Sequence, residues 1–476
     1  MLSRDASSGA PHNWVMKGHH RRRFTWTGAL VAALIGCGGG SGSPKPDGGA
    51  AGIGGAAGAG AAGSDGGAPT AHLVQAHSGS LELSPTGKQL FVVHPDADSV
   101  SVVDLASRTV THDVLLAAAR PAADATGHYA PAVGPRALAH DSTGSTLYAS
   151  GQWSGAVYAI DVASGSFTQS ATICSEPIGV LVSADDANVF VACAQDDEIV
   201  ELAAHDLSVV ARVPCPRKPW ALAWAADGKT LLATHLLGPG VSALATQPLA
   251  LNTTWTLADG PSSNDQTEPH GPVRGIYDAA IRPGSSELWV AHIMLGIDTP
   301  QPALDFQSTV FPALSILDSS GNQSARLSVQ ANPGDGQAFG DVVSGPRAIA
   351  FSDDGGLVFV ADTDSEDVLA IDTTARVERQ IVRPLPGHLP EGIVWADGEL
   401  YVQERNTEDI AAFKVARSGS ALTITADGTP IPTLASDPMP PTLRLGQKLF
   451  YSANSDDVPL TQNHWDSRRV ARGHEP

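Results

Sequence analysis

From residue 77 onward the hydrophobic and polar positions repeat one pattern: a short alternating apolar run, a turn carrying Gly, Asp or Asn, a second run centred on an aromatic residue or Leu, and a third run that often ends in Asp. Alternation with period two is the signature of half-buried strands, and Gly or Asp/Asn between the runs supplies the turns. The centre of the second run recurs at Phe91, Tyr148, Phe190, Leu232, Trp289, Phe359 and Tyr401, at intervals of 57, 42, 42, 57, 70 and 42 residues. These spacings describe a unit of 42 residues with insertions of 15, 15 and 28. The third run repeats as well, as Val100–Asp104, Val157–Asp161, Leu314–Asp318 and Val368–Asp372. Each unit has room for four strands of ordinary length, so seven of them predict an all-β fold, a seven-bladed β-propeller in which radial closure protects the strand edges.

The pattern is absent from both ends of the chain. Residues 38–70 hold 14 glycines in 33 positions and have no apolar face to bury, which predicts a flexible, disordered linker. The Gly58-x-Gly60-x-x-Gly63 spacing there has neither a strand before it nor a helix pattern after it, so it does not read as a dinucleotide site. Residues 1–37 carry a basic cluster, Arg21-Arg22-Arg23, followed by the apolar stretch Phe24–Ile35. That order is the order of a secretory signal, and the stretch is too short to span a bilayer. It ends Leu34-Ile35-Gly36-Cys37, which resembles a bacterial lipobox; the resemblance implies lipidation at Cys37, a membrane anchor and an outer-membrane location facing periplasm or cell surface. The predicted organisation is thus signal (1–37), linker (38–70), propeller (71–437) and a short irregular tail (438–476).

Charge sharpens this picture. The formal charge of −21 divides into +4 for residues 1–37 and −25 for the rest. An acidic mature chain argues against nucleic acid as a partner.

Two stretches carry family resemblances. Gly87–Val93 followed by Val100–Asp104, and Gly356–Val360 followed by Val368–Asp372, resemble the YVTN-type propeller repeats of bacterial cell-surface proteins. Related propellers include lactonases, quinoprotein dehydrogenase subunits and plain binding modules, so the resemblance implies fold more than activity. The tail, with Leu445-Gly446-Gln447-Lys448-Leu449-Phe450-Tyr451 and Pro459–Trp465, resembles the opening of a di-haem cytochrome c peroxidase-type domain. No Cys-x-x-Cys-His motif follows, so covalent haem is not expected in this chain, and the tail reads as a stub of such a domain.

Candidate chemistry gathers at one end of the repeat. In a propeller the connections from the second to the third strand and from the fourth strand to the next blade open on one face. The insertions near 117–133, 259–275, 294–312 and 330–345 all fall in such connections, which marks that face as the working surface. Three residues after each strand centre stand His94, Gly151, Cys193, His235, His292, Asp362 and Glu404. With His270 and Arg274 on an inserted loop, His94, His235, His292, Asp362 and Glu404 form the candidate binding face. His235, His270 and His292 are the candidate ligands for a divalent metal. Cys193 can pair with Cys215 or with Cys174, leaving one thiol over. Catalytic motifs such as His-Glu-x-x-His or Gly-x-Ser-x-Gly are missing. The expected role is an envelope-anchored scaffold that docks a protein or redox partner. The alternatives are a metal-dependent, lactonase-like hydrolase and a purely structural surface protein.

Overall fold

The computed structural model describes residues 77–261, 269–297, 310–329, 343–419 and 421–452. The signal, Cys37, the linker, parts of three inserted loops and the chain after 452 lie outside the described residues.

Consecutive strands form seven antiparallel sheets, six of four strands and one of five. Their first strands are Leu81–Leu83, Pro135–His140, Pro177–Val182, Pro219–Trp224, Val273–Ile281, Pro346–Phe351 and Pro390–Ala396. Each packs beside the first strands of the neighbouring sheets, the seventh against the first, so the sheets radiate from a closed ring as blades 1 to 7. The fold is the expected seven-bladed β-propeller. Among the described residues no strand is exchanged at the closure: residues 81–115 supply all four strands of blade 1, and the extra strand Ile431–Pro432 pairs with Asp409 and Ile410 of blade 7.

Burial follows from position in the blade. In blade 1 the second strand (Gln89–His94) and the third (Ser99–Asp104) are sandwiched between neighbouring blades and buried nearly throughout. The outermost strand, Thr109–Leu115, alternates exposed and half-buried residues. The closing seam is apolar, with Leu81, Leu90 and Val92 of blade 1 packed against Tyr401, Ile410 and Ala412 of blade 7. The Asp that ends the third strand shapes the turn to the fourth. Asp104 accepts a hydrogen bond from the Ser107 N–H (2.8 Å), Asp161 from Ser164 (2.6 Å) and Asp372 from Ala375 (2.8 Å). At the opposite end, Asp98, with φ of 53°, ties blade 1 to blade 2 by accepting the N–H groups of Val133 and Gly134 at 2.9 and 2.8 Å.

Residues 77–80 belong to no blade. The Ser78 N–H donates to the Leu222 carbonyl (2.8 Å), the Leu222 N–H to Ser78 Oγ (2.9 Å), and the Leu138 N–H to the Gly79 carbonyl (2.8 Å). His77 pairs with Asp278 at 3.3 Å, and Asp278 also accepts the Ile349 N–H at 2.9 Å. Leu138, Leu222, Asp278 and Ile349 sit on the inner strands of blades 2, 4, 5 and 6, so this segment straps the central channel from side to side. Burial works against a charged His77, but Asp278 outweighs it and raises its pKa to about 9.

The tail departs from expectation. Rather than being irregular, it carries the helix α1 (Pro441–Tyr451), whose start is set by Pro441 in the first turn. The helix docks by its polar side. Arg444 is buried, and Gln447 and Lys448 reach Asp96 and His388, while Leu443, Leu445, Leu449 and Phe450 are exposed.

Candidate functional site

The long connections lie where the repeat placed them. They join Leu115 to Pro135, Thr256 to Val273, Leu295 to Val310 and Ser328 to Pro346, and the strand ends they join all lie on one face. Helix α1 sits on this face, held by Asp96 and Glu408 from turns between second and third strands.

The candidate residues at the ends of the second strands do not line an open surface. His94, Cys193, His235, His292, Asp362 and Glu404 are all buried, and the histidines reach sideways to a serine of the adjacent strand. His235 Nε2 meets Ser242 Oγ at 2.8 Å, His292 Nε2 meets Ser315 Oγ at 2.8 Å, and His94 Nε2 meets Ser101 Oγ at 3.0 Å. Burial lowers the pKa of His235 to about 4 and of His292 to about 3, so both are neutral hydrogen-bonding groups of the blade interior. His270 packs its ring 5.1 Å from Phe311, and Arg274 donates to the Val273 carbonyl at 2.6 Å. Among the described residues no three His, Cys, Asp or Glu side chains come together in a way that could hold a metal ion. His235, His270 and His292 therefore do not form the ligand set expected of them. Asp362 and Glu404 instead face acids across the ladder, in the register pairs Asp362–Asp367 and Glu404–Asp409.

The cysteines resolve in favour of the second pairing. Cys174 and Cys193 form the disulfide, 19 residues apart, and Cys215 remains a thiol. Burial, with Asp197 and Glu198 nearby, pushes the Cys215 pKa up to about 12, which removes it from nucleophilic roles. For a loop of this length, chain entropy predicts a contribution of about 3 kcal/mol. The double substitution Cys174→Ala, Cys193→Ala is expected to lose about that much in urea unfolding, whereas Cys215→Ala changes stability little.

A different group of residues converges at the channel mouth. Five inner strands begin with Pro, one variable residue, Ala or Gly, and an aliphatic: Pro135-Arg136-Ala137-Leu138, Pro177-Ile178-Gly179-Val180, Pro219-Trp220-Ala221-Leu222, Pro346-Arg347-Ala348-Ile349 and Pro390-Glu391-Gly392-Ile393. The small third residue is required by the packing between blades, since a Cβ at Gly179 would stand 2.4 Å from the Trp220 carbonyl oxygen. The register places Tyr277 of blade 5 level with the variable position. The variable residues thus form a ring. Arg136 lies over the Trp220 ring at 5.9 Å and Arg347 over the Tyr277 ring at 4.0 Å. Glu391 bonds Arg405 at 2.9 Å and stands 3.7 Å from Arg136; Arg405 also reaches Asp96 at 3.2 Å. Burial works against the Glu391 carboxylate, but Arg405, Arg136 and Arg347 together lower its pKa. Tyr451, the last residue of α1, interacts electrostatically with the same four charged groups, which places the helix end at this mouth. The legible signal for this site was the variable residue in an otherwise fixed Pro-x-Ala/Gly-aliphatic start.

The family described as "Lactonase, 7-bladed beta-propeller" matches residues 61–247, less than half of the chain. No curated protein matches the chain. Among solved structures, hydrazine synthase from Kuenenia stuttgartiensis is similar with a TM-score of 0.57 at 16% identity, over 76% of this chain and 100% of that one. Dihydro-heme d1 dehydrogenase NirN in complex with DHE gives a TM-score of 0.46 at 13% identity, over 76% and 68% of the two chains. At these identities the structural likeness concerns the fold alone. The chain is a seven-bladed β-propeller with a stretch similar to the lactonase-type propellers.

Proposed function

We propose that this protein is an envelope-anchored binding scaffold whose loop-rich propeller face docks a partner. The observation that carries the reading is the concentration of four long connections, helix α1 and the charged channel mouth on one face of a rigid ring. The lipobox-like Leu34–Cys37 supports the anchor, and the likeness of the tail to the opening of a cytochrome domain makes a redox protein the expected partner. A lactonase-like hydrolase is the second reading, favoured by the family match over residues 61–247. No step through a metal is derived for it, because His235 and His292 are already engaged by serines.

Cell fractionation and site-directed photo-crosslinking test the scaffold reading together. Cys37→Ser is expected to move the protein from the membrane to the soluble fraction. A photo-reactive residue at Thr126, exposed on the loop-rich face, should give a discrete adduct in cells, while one at Ser164, exposed on the opposite face, should give none. Equal adducts from both positions, or none from either, would sink the docking role.

A further inference from the structure

The guanidinium groups at the channel mouth are short of acceptors. Arg405 pairs with Asp96 and Glu391, although its Nε is buried and unmatched. Arg136 shares Glu391 at 3.7 Å, with its Nε buried and unmatched. The Arg347 guanidinium lies 4.0 Å from the Tyr277 ring centre; among the described residues its side chain makes no ion pair or hydrogen bond, and its Nε is buried and unmatched. Glu391 is the acid that all three arginines share, Asp96 serves Arg405, Asp364 acts on Arg347, and Arg136 is opposed by the other two arginines. Buried donors left unpaired cost free energy, and a planar fork of donors is best met by a carboxylate binding two of them at once. The Trp220 and Tyr277 rings give the Arg136 and Arg347 guanidinium groups an aromatic neighbour, at 5.9 and 4.0 Å.

We infer that the channel mouth binds a small organic acid, its carboxylate held by Arg347 with Arg136 as second donor and Tyr277, Trp220 and Tyr451 around it. A singly charged group suits the site better than a doubly charged phosphate, because Glu391 is already present and Asp364 acts on Arg347 from the blade 6 side. The strap of residues 77–80 runs deeper than the variable residues, at the level of Leu138 and Leu222.

This rests on reading the loop-rich face as the binding surface, which the Thr126 crosslink tests separately. A partner captured there without acid binding would remove the carboxylate site alone. The direct experiment titrates the full chain by calorimetry with benzoate, benzamide and inorganic phosphate at constant ionic strength. Benzoate is expected to bind and benzamide not to. Arg347→Gln and Arg136→Gln, each checked for native melting, should weaken benzoate at least about tenfold, the loss expected for a hydrogen bond to a charged group. Equal binding of benzamide, tighter binding of phosphate, unchanged affinity in both variants, or no benzoate binding at millimolar concentration would each overturn the assignment.

Discussion

Replacing Arg444 by Ala is expected to cost about 3–5 kcal/mol and to release helix α1 from the propeller. The guanidinium is the hub of the helix contact. It meets Asp96 at 3.0 Å, Glu408 at 2.9 Å and Asp437 at 2.7 Å, and it also bonds Gln447 at 2.9 Å. Asp96 and Glu408 are buried, so removing the cation leaves Asp96 with Arg405 alone as its cation and Glu408 with a hydrogen bond to His94 at 2.7 Å. Apolar packing offers the helix little in reserve, because Leu443, Leu445, Leu449 and Phe450 point away from the protein. Arg444→Lys keeps a charge but cannot serve three carboxylates in fixed directions, and its loss should be intermediate. Urea unfolding gives the magnitude, and trypsin cleavage at Lys448 reports release of the helix. Wild-type resistance at Lys448 in the Ala variant would show that the helix is held by something else. A pH signature accompanies this. Burial alone would raise the Asp96 pKa, yet Arg405 and Arg444 hold it at about 2. Its contribution is present above the unfolded value near 3.8 and is lost as pH falls through 2.

Glu404→Gln should make the protein more stable above neutral pH, the reverse of the usual result of altering a buried charged residue. Glu404 is fully buried at the end of the blade 7 second strand, accepts the Gly387 N–H at 2.7 Å and faces Asp409 across the ladder. Burial, and then the Asp409 charge, raise its pKa to about 9, so Glu404 holds a proton at neutral pH. The folded state holds that proton where the unfolded chain, with a value near 4.5, does not. Stability therefore falls as pH rises from about 4.5 to 9, at up to about 1.4 kcal/mol per unit. Between pH 6 and 9 this group accounts for up to about 4 kcal/mol. Gln keeps the shape and offers a permanent donor to Asp409, so its variant should lack this part of the slope. His77, with its pKa of about 9, also loses stability as pH rises, through a value above its unfolded 6.5, so the difference between the two proteins is what isolates Glu404. Parallel stability curves for wild type and variant from pH 5 to 9 would refute the proton held by Glu404. In blade 6 the Asp362–Asp367 pair repeats the arrangement: burial, and then Asp367, push Asp362 well above the usual carboxylate range.

The site was harder to read than the fold because different rules govern the two. Strand ends that looked functional, such as His235 and His292, carry residue types that also serve as ligands. Their depth in the blade and a serine within 2.8 Å decide that they are interior hydrogen-bonding groups. Arg136 and Arg347 are separated by more than two hundred residues, and nothing local relates them. Only ring closure brings blades 2 and 6 to one channel. Likewise, Leu443 to Phe450 has the residue types of a core helix, but Arg444 turns its polar side inward because three carboxylates wait there.

The sequence by itself determined the number of blades, the strands within each, the insertion points and the face on which they open. Those features are local: period-two burial, turn residues such as Asp104 and Asp161, and a spacing of 42 residues repeat whatever the neighbours are. Only the tertiary structure decided that Cys174 pairs with Cys193, that residues 77–80 strap the channel, that α1 docks by its polar side, and that three arginines meet around one glutamate. Each of these depends on how far apart residues lie after the ring has closed, a distance that hydrophobic pattern does not encode.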